Sequence, residues 1–207
     1  MIIECLSGGL VNSNVYVAAG NGGGVIIDCG CPAERILEAV RKHGKNIKDV
    51  ILTHGHFDHF YYADSIRELA GMRIHIHKND ADLLADPFKS GLMFYQRRGA
   101  EGFKPADNLL NDEDILKFGD LEFRILHTPG HTPGSISVAV GNCVFTGDTL
   151  FHTSIGRTDF PGGSHKEIIK SIKNKLFTLP EDTVVYPGHG ESTGIGYEKS
   201  NNPYVNE

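Results

Sequence analysis

The chain is short of cysteine, of long apolar runs and of basic clusters, and each shortage excludes a class of protein. Four cysteines in 207 residues (Cys5, Cys29, Cys31 and Cys143) are too few for a disulfide scaffold. Cys29 and Cys31 form one C-x-C with no second pair to complete a four-sulfur zinc site, so they read as buried or loop thiols. Apolar stretches such as Ile136 to Val140, interrupted by Ser137, fall far below the ~20 residues that a membrane-spanning helix needs. The net charge is −6, from 20 Lys and Arg against 26 Asp and Glu, with no basic block; this argues against a nucleic-acid partner or a membrane surface. The start, Met1-Ile2-Ile3-Glu4, has neither the basic segment nor the apolar core of a signal peptide, which leads to the expectation of a cytoplasmic protein with reduced thiols. Two catalytic signatures are also missing: the G-x-S-x-G nucleophile elbow and the helical H-E-x-x-H of zinc proteases.

What remains is an ordinary globular composition, 40% hydrophobic and 22% charged, read as one domain spanning residues 1–207. Apolar periodicity predicts strands over 14–18, 25–28, 50–53, 73–77, 115–118, 121–126, 135–140, 143–146 and 184–186. It predicts helices over 33–43, 63–70 and 165–175, with a short one near 81–85. Gly44 and Gly71 are placed to stop the first two helices, and Gly119-Asp120 and Gly141-Asn142 to turn hairpins. The rest of 79–111 carries no clear pattern. Strand-rich halves that each carry helices suggest sheets packed face to face with helices outside.

Histidine is abundant, 11 residues, and unevenly spread. Residues 53–59 read Thr53-His54-Gly55-His56-Phe57-Asp58-His59; composition alone would yield H-x-H-x-D-H in such a chain roughly twice in a thousand times. Residues i and i+2 of a helix lie on different faces, so His54 and His56 converge on one metal only from extended or loop backbone, which Gly55 permits. The simplest arrangement aims that pair at one metal, and Asp58 and His59 at a second. Three more candidates each follow a predicted strand and a glycine: His131, Asp148 and His189. Together four strand ends deliver five His and two Asp, enough for two metal sites bridged by one carboxylate. Such a donor set suits zinc, and also iron or manganese. Asp28 is a candidate to hold a ligand imidazole from behind, or else a turn-forming Asp. His75 and His77 share a strand face and read as surface residues; His43, His127, His152 and His165 receive no role.

The segments His54-Gly55-His56-Phe57-Asp58-His59, Thr128-Pro129-Gly130-His131-Thr132, Gly147-Asp148-Thr149 and Pro187-Gly188-His189-Gly190 together resemble the metallo-β-lactamase fold superfamily. Ile155-Gly156-Arg157-Thr158-Asp159-Phe160-Pro161-Gly162-Gly163 and Glu198-Lys199-Ser200-Asn201-Asn202-Pro203 narrow the likeness to short glyoxalase II-like hydrolases. The resemblance implies an α+β fold: a four-layer αββα sandwich of two mixed sheets with helices outside. It implies that His54, His56 and His131 hold a first zinc, that Asp58, His59 and His189 hold a second, and that Asp148 bridges them. It also implies a metal-dependent thioesterase acting on a small hydroxyacyl thioester, in which a metal-bridging hydroxide attacks the carbonyl and Asp58 aims the water.

Other readings stay open. A mononuclear iron enzyme resembling persulfide dioxygenases would use His54, His131 and Asp148. Lactone hydrolysis would use the same hydroxide, and a metal-stabilised binding scaffold would use none. Secreted β-lactam hydrolysis and nucleic-acid cleavage fit less well, for want of an export signal and of basic charge. Full-length glyoxalase II has a C-terminal helical domain that helps grip glutathione; this length leaves no room for one, so the carrier thiol is undecided. Arg157 with Asp159 reads first as a structural ion pair and second as a substrate contact. Phe60-Tyr61-Tyr62 stands where relatives often have small residues, and either lines the pocket, with Tyr61 touching substrate, or packs under a helix start.

Overall fold

A computed structural model describes residues 1–43, 46–95 and 101–205. The first sheet runs β1 (Ile2–Gly8), β2 (Ser13–Ala19), β3 (Gly24–Ile27), β4 (Ile47–Ile51), β5 (Arg73–His77) and β6 (Asn108–Leu110), in that order across the sheet. β1 to β3 pair antiparallel and β3 to β6 parallel. The second sheet contains β7 (Ile115–Phe118), β8 (Leu121–His127), β9 (Ile136–Val140) and β10 (Cys143–Gly147). After a small ribbon, β11 (Leu150–Phe151) and β12 (Ser154–Ile155), it is completed by β13 (Val184–Pro187) and β14 (Thr193–Gly194). β13 lies parallel to β10 and the other pairs are antiparallel, so both sheets are mixed.

Alternation along the strands sorts the core into layers. In β2, Tyr16 and Ala18 face the second sheet and meet Phe123, Ile125, Val138 and Phe145, whereas Val15 and Val17 face outward onto helices. That outer layer is α1 (Ala33–His43) and α3 (Ala63–Ala70), which seat Ile36 and Ile66 against Ile26, Val50 and Ile74. On the far side α5 (His165–Asn174) buries Ile168 and Ile172 against Val144 and Val185. Helix, sheet, sheet and helix are therefore stacked in four layers, as the resemblance implies. Both faces of β2 are covered, which is why it is buried throughout and why its residues 15–19 read as an unbroken apolar run.

Local chemistry sets the boundaries. Glu34 opens α1, and Arg41, Lys42 and His43 close it, in accord with the helix dipole. Gly71, at φ 62°, ends α3 with its N–H on the Arg67 carbonyl. The expected stop at Gly44 lies outside the described residues. Ser164 caps α5 by accepting from the Glu167 N–H. Several elements escape the sequence reading: β1, β6, the β11–β12 ribbon, β14, α2 (Phe57–Phe60), α4 (Leu92–Tyr95) and α6 (Ile195–Asn201). The short helix expected near 81–85 is a 3₁₀ segment at Lys78–Leu83. The C-terminal α6 is fastened through the fully buried Glu198 carboxylate, which accepts from the Thr153 N–H, the Thr193 hydroxyl (2.6 Å) and the Asn202 amide (2.8 Å).

Candidate metal centre

Four strand ends meet at one edge of the sandwich. β4 runs into Thr53 and His54, then turns through Gly55, where an added Cβ would stand 2.6 Å from the Leu83 Cβ. His56 precedes α2 in extended backbone (φ −87°, ψ 141°), so His54 and His56 come from non-helical chain while Asp58 and His59 come from the first turn of α2. β8 leads to His131, β10 to Asp148 and β13 to His189. The last two loops are tied together, the Gly188 N–H donating to the Gly147 carbonyl at 2.8 Å.

The seven side chains converge. His56 Nδ1 lies 2.8 Å from His131 Nε2, and the His54 ring centroid is 4.7 Å from that of His131 and 4.2 Å from that of His59. His59 Nε2 lies 3.4 Å from oxygens of both Asp58 and Asp148 and 3.3 Å from His189 Nε2. His189 Nε2 is 3.2 Å from Asp58 and 3.7 Å from Asp148, and His131 Nε2 is 3.5 Å from Asp148. Ligand atoms gather within 4.8 Å of one another in three groups: His54, His56 and His131; His54, His59 and Asp148; Asp58, His59 and His189. His54, His59 and His131 are buried, and His189 opens to solvent.

Charge is distributed unevenly across the cluster. Burial, reinforced by the neighbouring imidazoles, holds His54 well below the ordinary imidazole range. Burial and His131 push His56 down to about 3. These two are neutral donors. At the other end burial opposes the charge on His59, but the carboxylates of Asp58, Asp148 and Asp28 outweigh it and raise His59 well above the usual range. Burial likewise opposes ionisation of Asp58, yet His59 and His189 hold it below the carboxylate range. That end of the site therefore draws positive charge.

Behind the cluster, hydrogen bonds fix which imidazole nitrogen faces inward. Asp28 accepts from the Thr53 N–H (2.7 Å), the Thr53 hydroxyl (2.9 Å) and His59 Nδ1 (2.8 Å), which leaves His59 Nε2 aimed at the site. The Thr53 hydroxyl in turn faces His54 Nδ1 at 3.1 Å, and the Arg157 carbonyl accepts from His131 Nδ1 at 2.8 Å. Asp28 sits at φ 61°, in the left-handed region, which a non-glycine residue keeps only where its surroundings demand it. The backing role considered for Asp28 is the one its contacts show. Asp80 was not visible in the sequence. It is fully buried and accepts from the Gly55 N–H (2.8 Å), the Thr132 hydroxyl (2.6 Å) and the Gly134 N–H (2.6 Å), joining the His54–His56 loop to the His131 loop. Nothing in Asn79-Asp80-Ala81 marks that role.

Other expectations meet the structure unevenly. His75 and His77 are not surface residues. They are 7% and 2% exposed, because the second sheet covers their face of β5. His75 bonds Asp49 at 2.8 Å, and His77 stacks on His127 with ring centroids 4.1 Å apart. Tyr61 packs its ring near Tyr62 and Phe103, at 5.2 and 5.9 Å, and Phe60 is core. Arg157 pairs in bidentate fashion with Asp159, both contacts 2.7 Å, and also borders the cavity over the cluster.

Bound metal fits these residues on three observations. Among the described residues three buried side-chain atoms have no hydrogen-bond partner: His54 Nε2 and Asp148 Oδ1 in the cluster, and His75 Nδ1 away from it; the 3.4 Å approach of Asp148 to His59 is an ion-pair distance only. Two buried acceptors left open at one centre are costly unless a cation takes them. A Cβ on Gly188 would run into Asp148 Oδ1 and stand 2.7 Å from His59 Cε1, so only glycine leaves this cradle free. Finally, imidazole and carboxylate are the donors of zinc, iron and manganese sites.

Comparison with known proteins agrees. The sequence matches the profile of the metallo-beta-lactamase superfamily over residues 8–189. It is 39% identical to the hydroxyacylglutathione hydrolase GloC of Haemophilus influenzae, across 87% of this chain and 86% of that protein. The crystal structure of the BLEG-1 B3 metallo-beta-lactamase superposes with a TM-score of 0.92 at 36% identity, each chain covered in full. That of ETHE1 from Myxococcus xanthus superposes at 0.82 and 30% identity, over 100% of this chain and 86% of the other. With its sandwich, its convergent loops and these likenesses, the chain belongs to the metallo-beta-lactamase superfamily of metal-dependent hydrolases.

Proposed function

We propose that residues 1–207 act as one catalytic domain, a dinuclear metal hydrolase of the glyoxalase II type that cleaves a small acyl thioester in the cytoplasm. In this reading His54, His56 and His131 hold one cation and Asp58, His59 and His189 hold the other. Asp148, whose two oxygens approach His59 and His131, is shared between them. The observation that carries it is the continuity of the three ligand groups: His54 and His59 each belong to two of them, so the donors form a chain long enough for two adjacent ions, most simply zinc. The likeness to GloC supports the thioester. Among the described residues no helix is long and apolar enough to cross a membrane.

When bound, the pair of divalent cations supplies an activated water and polarises the substrate carbonyl. The chain's own groups do the rest. Asp58 borders the cavity and is held as the anion, so its free lone pairs can accept a hydrogen bond from the attacking water and aim it. Asp28, Thr53 and the Arg157 carbonyl keep the imidazoles from rotating as charge builds on the substrate. A thiolate leaves without a strong general acid, which makes a thioester the acyl substrate this set of residues serves with least help.

A second reading, an iron oxygenase acting on a thiol persulfide through His54, His131 and Asp148, draws support from the likeness to ETHE1. The likeness to BLEG-1 makes a β-lactam the control substrate. One experiment separates them: metal content of the purified chain, read beside thioester and β-lactam hydrolysis and an oxygen electrode. About two metals per chain with thioester turnover are expected. One iron per chain with persulfide-dependent oxygen uptake would establish the second reading instead.

A further inference from the structure

Above the cluster lies a cavity of about 390 Å³, towards the small end of ligand pockets. Asp58, His131, Asp148 and His189 form its floor. Its walls are aromatic. Phe57, Phe94, Tyr95 and Phe160 line it, together with Val11. The Phe57 and Tyr95 centroids are 5.5 Å apart at 34°, and Phe160 meets the His56 ring edge-on at 5.3 Å, so the apolar surface begins beside the ligands themselves.

This wall is built rather than incidental. The Phe57 N–H donates to the Ser90 carbonyl at 2.9 Å, which ties α2 to the turn before α4. Leu92 anchors α4 in the interior. Yet Phe94 remains 61% exposed, Tyr95 48% and Val11 43%. Folding gains little from large apolar groups left in water; a ligand that covers them gains their burial.

Charge points the same way. Among the described lining residues Arg157 is the one permanently cationic side chain, and its guanidinium is spent on Asp159 while lying 4.0 Å above the Phe160 ring. Among the described lining residues, a carrier bearing several carboxylates or phosphates would find no unpaired cation; Arg97 and Arg98, which follow Tyr95, lie outside the described residues.

We propose that this cavity selects thioesters whose acyl group is apolar and uncharged, aryl or branched alkyl, seated against the Phe57–Phe94–Tyr95 wall. The inference rests on the hydrolase reading above and names its substrate class.

The test uses the full metal-loaded chain with N-acetylcysteamine thioesters of phenylacetate, isovalerate and D-lactate, and with the glutathione thioester of D-lactate. The kcat/KM for phenylacetyl should exceed that for lactoyl on the same carrier by about tenfold or more. The ratio of the two should collapse about tenfold in Phe94→Ala and in Tyr95→Ala. Saturation-transfer NMR on metal-free protein gives a readout without turnover: the phenyl protons of the phenylacetyl thioester should receive saturation, and lose it in Phe94→Ala. A preference for lactoyl, an unchanged ratio in both variants, or unsaturated phenyl protons would overturn the proposal. So would rim variants that alter sedimentation but not selectivity, since the patch would then join copies of the chain. If no thioester turns over while the phenyl protons still saturate, the hydrolase reading fails and the apolar recognition stands.

Discussion

Replacing Asp80 by Ala tests whether the two histidine loops are held by one buried carboxylate. The substitution strips the Gly55 and Gly134 N–H groups of an acceptor, while the Thr132 hydroxyl keeps its 2.7 Å partner in Ser135. Each stranded donor costs about 1–3 kcal/mol. Part of this is returned, because burial already raises the Asp80 carboxyl above its ordinary range against the three bonds that lower it. The net loss should be about 2–4 kcal/mol. Domains are typically stable by about 5–15 kcal/mol, so the variant should remain folded and measurable. Urea unfolding of metal-free protein followed by far-ultraviolet circular dichroism is the assay, since the chain has no tryptophan to report by fluorescence. Zinc affinity should fall by about 10–100-fold, as the Gly55 and Thr132 loops lose their common anchor. Asp80→Asn, which keeps one acceptor oxygen, should fall between wild type and Asp80→Ala. If Asp80→Ala loses less than about 0.5 kcal/mol and binds zinc as tightly as wild type, the carboxylate does not join the loops.

Three further outcomes follow from the geometry. His56→Ala and Asp148→Ala should each lower thioester turnover by at least about a hundredfold with the circular dichroism spectrum unchanged; wild-type rates would remove these residues from the site. Gly188→Ala, whose methyl group would strike Asp148 and His59, should reduce the metal count below that of wild type, and a full complement would mean that the cradle tolerates a side chain. Asp107 accepts from the Ile74 N–H at 2.8 Å and pairs with Arg67; burial opposes its charge, but these contacts hold its carboxyl below the ordinary range. Its stabilisation is therefore present above the unfolded value of about 3.9 and fades as pH falls through the lower folded value, so the gap between wild type and Asp107→Asn should narrow on acidification from about pH 5 to 3. A gap that widens would reverse the assignment.

Much of the site was legible because its chemistry is crowded. His54, His56, Asp58 and His59 lie within six residues, and His131, Asp148 and His189 each follow a strand and a glycine. The layers were legible from strand and helix periodicity, and the hairpins from Gly119 and Gly141, both at positive φ. What stayed hidden depends on contacts distant in sequence. Asp80 acts through Gly55, Thr132 and Gly134, far from it along the chain. His75 and His77 have the alternation of a half-exposed strand, and only the second sheet, bringing Phe118 to 6.4 Å from His75, covers them. The described residues of 79–111 contain a 3₁₀ turn, a four-residue helix and a three-residue strand, each too short to show a period. α6 begins at Ile195 after a glycine, with no side-chain cap, and depends on buried Glu198 rather than on an apolar stripe.

Anomalous diffraction from crystals of the chain grown with zinc puts the site to its most direct trial. Two peaks should appear, one against His54, His56 and His131 and one against Asp58, His59 and His189, with Asp148 beside both. Density that leaves these imidazoles and carboxylates empty, or that places the metal elsewhere on the chain, would contradict it.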